Sequence, residues 1–161
     1  MKEVTEQGAY LQLAALCARS EHCQHDMMEK MKRWGMSAEA QARVMARLVG
    51  ERYVDDERYA RALVRDKIRY SRWGRRKVEQ ALWMKHIDAD TQQRVLSEVS
   101  DEEYAEVLRP LLQQKRRSVK AATDYELNQK LVKFALSRGF TYNIIRQCID
   151  GADDYDGAED C

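Results

Sequence analysis

Residues 123–149 read TDYELNQKLVKFALSRGFTYNIIRQCI, and this stretch decides the fold. Thr123 with Glu126 three places on is a capping box, in which hydroxyl and carboxylate satisfy the free N–H groups at a helix start. Leu131, Phe134 and Ala135 then recur at helical spacing. Arg138 suits the negative end of the helix dipole, and Gly139 can take the left-handed conformation that stops a helix. Phe140 can pack back on that helix. Thr141 caps the next one, which carries Ile144, Ile145, Cys148 and Ile149. The stretch reads as helix, tight turn, helix.

Working outward, the same punctuation stands at Gly35-Met36-Ser37 and His86-Ile87-Asp88. Ser37 to Asp88 is 51 residues and Asp88 to Thr141 is 53, so the chain repeats. Arg33 (with Trp34 intervening) and Lys85 hold the place of Arg138. Cys23 and Gly74 each lie 12 residues before their mark, where a helix should begin, and Thr123 lies 16 before its own. Apolar residues keep the helical spacing at Met27 and Met31, at Val78, Ala81 and Leu82, at Val44 and Leu48, and at Val95 and Val99. A left-handed His costs more than a Gly, so the His86 turn is expected to differ. Trp34 and Trp83 precede turns and are expected to cover helix ends.

Each copy also has a leading helix: residues 8–20, residues 57–71 with Leu63, Val64 and Ile68, and residues 101–120. The last opens with the capping box Ser100–Glu103 and closes with Lys115, Arg116, Arg117 and Lys120, and Pro110 is expected to kink or break it. The fold class is therefore all-α: three tandem three-helix repeats, about nine helices, no sheet. The expected boundaries are 1–54, 55–99 and 100–150, with Gly50 to Asp56 as the link between the first two copies. An acidic tail over 151–161 has no apolar period and is expected to be disordered. Small units in tandem touch mainly their neighbours, so an elongated shape is expected.

Composition narrows the class. Of 161 residues, 44% are hydrophobic and 34% charged, and one proline with seven glycines is too few turn residues for a sandwich or barrel. The longest apolar run, Leu13 to Ala18, is shorter than a membrane span or a signal-peptide core needs, so a cytoplasmic protein is expected. Cys17, Cys23, Cys148 and Cys161 form no C-x-x-C pair, which favours a reducing compartment. Cys17, His22, Cys23 and His25 lie close in sequence. Structural zinc wants paired, short-spaced ligands, and the simpler reading is a buried Cys17 with a helix start at Cys23. No metal or cofactor is expected.

The net charge of +1 conceals an uneven distribution. Residues 150–161 carry six acids and no base, and residues 1–149 are net +7. Between Glu57 and Lys77 nine basic residues face two acidic ones: Arg58, Arg61, Arg65, Lys67, Arg69, Arg72, Arg75, Arg76 and Lys77. Five of these arginines follow three- and four-residue steps and form a stripe, the electrostatic footprint of a phosphate-bearing or acidic partner. Tyr70 and Trp73 interleave with them; Trp73 could stack on bases or pack between copies. Lys115, Arg116, Arg117 and Lys120 make a second basic cluster. There is no Gly-x-Ser-x-Gly, no phosphate-cradling glycine loop and no two-His metal helix in the sequence. The acids Asp55, Asp56 and Glu57 stand just before a helix, where they stabilise its positive end.

At these residues the chain resembles the RecX family, regulators of the bacterial recombinase RecA. Tyr53-Val54-Asp55-Asp56-Glu57-Arg58-Tyr59-Ala60 looks like that family's apolar–Asp–Asp–x–Arg–aromatic–Ala signature. Gly74, Val78, Leu82, Lys85 and Ile87 resemble its second motif, Glu21-His22-Cys23 with Asp26-Met27 and Lys30-Met31 its first, and Phe134 with Arg138-Gly139-Phe140 its third. Cys23, Arg75, Ala81 and His86 stand where the family favours Ser, Pro, Glu and Gly. The resemblance implies an elongated, curved array that binds the RecA filament and inhibits its extension, recombinase and ATPase activities without catalysis of its own. It implies contact with single- or double-stranded DNA within the filament, and a monomer. Asp55, Asp56, Tyr59, Ala60, Gly74, Leu82, Lys85, Ile87 and Gly139 read as structural. A direct nucleic-acid binder built from tri-helical modules is the second reading, although third helices with Glu39, Arg43 and Arg47, with Gln92 and Arg94, and with Asn143 and Arg146 are not strongly basic. A helical scaffold that meets no nucleic acid is the third.

Overall fold

The computed structural model describes residues 4–150 and Ala152. Among them are nine helices and no strand: α1 Glu6–Arg19, α2 Gln24–Arg33, α3 Ala38–Gly50, α4 Asp56–Arg69, α5 Arg75–Met84, α6 Ala89–Ser97, α7 Asp101–Ser118, α8 Asp124–Ser137 and α9 Tyr142–Cys148. They form three consecutive sets of three. The disorder expected of the tail lies outside the described residues, apart from Ala152, which is buried.

The helix limits follow from the capping chemistry. Ser37 accepts from the Ala40 N–H at 3.1 Å and starts α3. Asp88 accepts from the Thr91 N–H at 3.3 Å and starts α6. Ser100 and Glu103 form the full reciprocal box at the start of α7. At α8 the box is half made: Thr123 accepts from Glu126 N–H, but the Glu126 carboxylate takes the Ala122 N–H instead. Thr141 and Cys23 cap with backbone alone.

Three expectations are corrected. The His86 turn does not differ: His86 takes φ +57°, as Gly35 and Gly139 take +76° and +94°. Its ring stacks on His25 at 3.9 Å, which offsets part of the left-handed strain. Of the kink or break expected at Pro110, the break is absent: α7 runs through it. Pro110 and Glu106, whose carbonyl it leaves unpaired, are both exposed, so water can satisfy that carbonyl, while Leu108, Leu111 and Leu112 stay buried. Trp83 covers nothing, being 73% exposed, whereas Trp34 does pack on a core.

The described chain packs as two compact units, residues 4–63 with 82–95, and residues 64–81 with 96–150 and Ala152. In the first, α1 and α2 pack on α3, and Leu13, Met27, Met31, Leu48 and Val54 form a nearly solvent-free core. In the second, α7 packs on α8 and α9. Its core holds Tyr104, Leu108, Leu131, Phe140 and Ile145, each at most 2% exposed.

Candidate polyanion-binding surface

The second half of α4, the loop over 70–74 and the start of α5 carry most of the basic stretch, all within the second unit. What holds them is a crossing of two backbones. The Gly74 N–H donates to the Arg138 carbonyl at 2.9 Å, and the Arg76 N–H donates to the Gly139 carbonyl at 3.0 Å. A Cβ on Gly74 would lie 2.3 Å from the Phe140 nitrogen, and one on Gly139 2.6 Å from the Lys77 Cβ. Only glycine permits this approach. The Arg138 guanidinium donates to the Ser71 carbonyl at 2.8 Å and ties the loop down again.

The loop itself is tightly defined. Trp73 N–H donates to the Lys67 carbonyl at 3.0 Å, and Arg72 is held at φ +54°, an uncommon conformation for a residue with a side chain. Two ammonium groups lie over the Trp73 ring, Lys67 Nζ at 4.8 Å and Lys77 Nζ at 4.9 Å from its centroid. Arg65, Arg69, Arg72 and Arg76 are exposed. Among the described residues none of these four has a carboxylate within 4.0 Å. Arg65 and Arg69 share an open groove of about 680 Å³ with Glu103 and Glu106. The first turn of α5 holds Arg75, Arg76 and Lys77 and no acid, although a helix N-terminus favours negative charge. Positive charge crowded on a positive helix end is relieved by an anion.

The remaining candidates are placed otherwise. Arg58 and Arg61 lie in the first unit with carboxylates. Arg58 forms an ion pair with Glu21, which raises its pKa, and donates to the Arg52 and Tyr53 carbonyls. Arg61 meets Glu57 at 3.7 Å. Arg75 meets Glu79 at 2.7 Å and neighbours the buried Tyr104, whose hydroxyl burial pushes up to about 12. Lys115 lies 5.2 Å over the Phe134 ring; Arg116, Arg117 and Lys120 are exposed nearby in sequence.

The motif residues are engaged in local structure. Asp55 accepts from Arg58 N–H at 3.1 Å and caps α4. Asp56 accepts from Gln24 N–H at 2.8 Å, and burial raises its pKa. Burial likewise pushes the Tyr59 hydroxyl up, beside Cys23 and Asp26. Ala60 and Leu82 are fully buried, and Ile87 nearly so. Lys85 holds both oxygens of Asp26 at 3.1 Å.

The three thiols among the described residues are poor nucleophiles. Burial pushes Cys17 and Cys148 up, and Cys23 up to about 11, so all three are protonated at neutral pH. Among the described residues no three His, Cys, Asp or Glu side chains gather where they could hold a metal. The same residues include no helix long and apolar enough to cross a membrane.

Family models match two thirds of the helical array: the second three-helix domain of RecX over residues 55–96 and the third over residues 101–149. The chain belongs to the RecX family. Similar relatives are regulatory protein RecX of Clostridium botulinum (strain Eklund 17B / Type B), 31% identical over 62% of this chain and 47% of the relative, and that of Lactobacillus johnsonii, 26% identical over 80% and 48%. This RecX-family chain thus spans about half the length of the curated relatives it matches. The crystal structure of RecX from Lactobacillus salivarius superposes with TM-score 0.81 at 19% identity, covering 92% of this chain and 96% of that one, which establishes the fold. Such relatives are named regulatory proteins.

Proposed function

We propose that this RecX-family chain is a non-catalytic regulator that binds the RecA–DNA filament and inhibits its extension, recombinase and ATPase activities. The observation that carries the reading is the anchored basic loop: Lys67 and Lys77 both over the Trp73 ring, with Arg72 and Arg76 exposed. Such a surface attracts phosphates through charge. Arg65, Arg69, Lys115, Arg116, Arg117 and Lys120 extend the positive field. The chain acts as a cytoplasmic monomer, its repeats running 1–54, 55–99 and 100–150. DNA is met within the filament.

The alternative, base reading by tri-helical modules, is disfavoured by the third helices. Arg43 on α3 is bound to Glu6, Arg47 to Glu51, and Arg94 on α6 to Glu57 at 2.7 Å. An arginine held by a carboxylate must first give up that ion pair to reach a guanine edge. Co-sedimentation separates the readings. The chain should pellet with recombinase filaments on single-stranded DNA more strongly than it binds the same DNA bare. Equal binding to bare DNA would favour the alternative, and no binding to either would leave a scaffold.

A further inference from the structure

The loop after α4 presents one aromatic ring to solvent. Tyr70 follows Arg69, the last residue of that helix, and is 74% exposed. A single exposed ring is ordinary on a protein surface; this one is set apart by how it is held and by what surrounds it. Its backbone is fixed on both sides. The Tyr70 N–H donates to the Asp66 carbonyl at 2.8 Å. The Ser71 carbonyl accepts from the Arg138 guanidinium at 2.8 Å, and the Trp73 and Gly74 N–H groups bind the Lys67 and Arg138 carbonyls. A loop so tied needs little ordering when a ligand arrives, which lowers the cost of binding.

The two aromatic residues of the loop differ. Trp73 is half-buried and has the Lys67 and Lys77 ammonium groups over its ring. Tyr70, among the described residues, has no ring or cation against it and no side-chain hydrogen bond. The charge around it is nearly of one sign: from Arg65 to Arg76 there are six basic residues and one acid, Asp66. Arg69 and Arg72, which bracket Tyr70 in sequence, are exposed. An open ring among guanidinium groups fits a strand whose bases are free, with phosphates on the cations and a base face on the ring. A duplex fits it poorly, because a base must first leave the stack to offer its face.

We propose that Tyr70 is a base-stacking platform that makes this surface select single-stranded over duplex nucleic acid, with Arg69 and Arg72 on the flanking phosphates. The inference rests on the basic loop being the nucleic-acid contact proposed above, and adds which strand form it takes and which ring receives the base. Three dye-labelled probes of about 20 nucleotides or base pairs are titrated with the full chain at about 50 mM salt, where phosphate contacts are strong: oligodeoxythymidylate, an abasic strand and a duplex. Tyr70→Ala should weaken oligodeoxythymidylate binding about tenfold, within the range for a base on an aromatic ring, and change the other two probes less than about twofold. Tyr70→Phe keeps the ring and should bind all three probes as the natural chain does. Helicity in circular dichroism should be unchanged, since Tyr70 lies beyond α4 and is exposed. Four results overturn the proposal: an unchanged affinity of Tyr70→Ala for oligodeoxythymidylate, an equal loss on all three probes, a loss in Tyr70→Phe as large as in Tyr70→Ala, or no binding of oligodeoxythymidylate by the natural chain. Co-sedimentation with recombinase filaments is read on the same preparations. Filament binding together with any of those four results keeps the filament reading and removes Tyr70 from it. The selective loss in Tyr70→Ala without filament binding keeps the platform and removes the filament.

Discussion

Replacing Gly74 by Ala tests the crossing that anchors the basic loop. The new methyl would lie 2.3 Å from the Phe140 nitrogen and 2.4 Å from the Gly139 carbonyl carbon. These are backbone atoms, so no rotamer change relieves the overlap, and the two segments must separate. Separation weakens the bonds from Gly74 N–H to Arg138 and from Arg76 N–H to Gly139, each worth about 0.5–1.5 kcal/mol net. It also loosens Phe140, which is fully buried and whose complete burial is worth about 1.5–3 kcal/mol. The sum gives a loss of about 2–4 kcal/mol, with partial rather than full exposure of Phe140. Urea denaturation followed by circular dichroism reads it as a fall in midpoint of about 1–2 M, for a slope of about 2 kcal/mol per molar. Two further glycines calibrate the result. Gly50 ends α3 with open space around it and no positive φ, so Gly50→Ala should stabilise by up to about 1 kcal/mol. Gly35 has open space but φ +76°, so Gly35→Ala should cost about 1–2 kcal/mol from strain alone. If Gly74→Ala costs no more than Gly35→Ala, the close crossing is not what holds the loop.

The other predictions concern charge, helix chemistry and titration. Arg69→Ala, Arg72→Ala and Arg76→Ala together should leave helicity unchanged in circular dichroism, weaken filament binding, and flatten its log–log salt slope by about 2, at about 0.7 per single-strand phosphate contact; an unchanged slope would assign these arginines to a solvated face. Pro110→Ala should raise stability by about 1–3 kcal/mol, because α7 already runs through this exposed position and alanine restores the missing bond; a lower melting temperature would contradict this. Burial holds the Cys23 thiol at about 11 against 9.0. Between those values the folded chain keeps a proton that the unfolded chain has lost, so stability falls as pH rises through that window. Cys23→Ala should flatten the fall, and native Cys23 should resist alkylation at pH 8.

Much of the fold was legible because punctuation and period agreed. Ser37, Asp88 and Ser100 cap the helices at the positions their spacing required, and Met27, Met31, Val78, Leu82 and Leu131 are buried as the helical period demanded. His86 misled because propensity alone does not see His25, 61 residues away in sequence and stacked on its ring. At Pro110 a break is avoided because the carbonyl freed on exposed Glu106 can face water, which is a property of packing. The candidate surface was half legible. Charge density marked the stretch from Arg58 to Lys77, but could not show that Arg58 is held by Glu21, or Arg94 by Glu57. Lys67 and Lys77 stand six residues before and four after Trp73, a spacing visible in the chain. Placing both over one ring requires the loop that Gly74 and Gly139 bring together, a contact between residues 65 apart that no local pattern encodes.

The most direct test of the account is steady-state ATP hydrolysis by RecA on single-stranded DNA, titrated with this chain and with the Arg69, Arg72 and Arg76 alanine variant. Hydrolysis should fall saturably with the natural chain, the chain alone should hydrolyse no ATP, and the variant should have a weaker effect at equal concentration. Undiminished hydrolysis at concentrations where the chain co-sediments with the filament would contradict it.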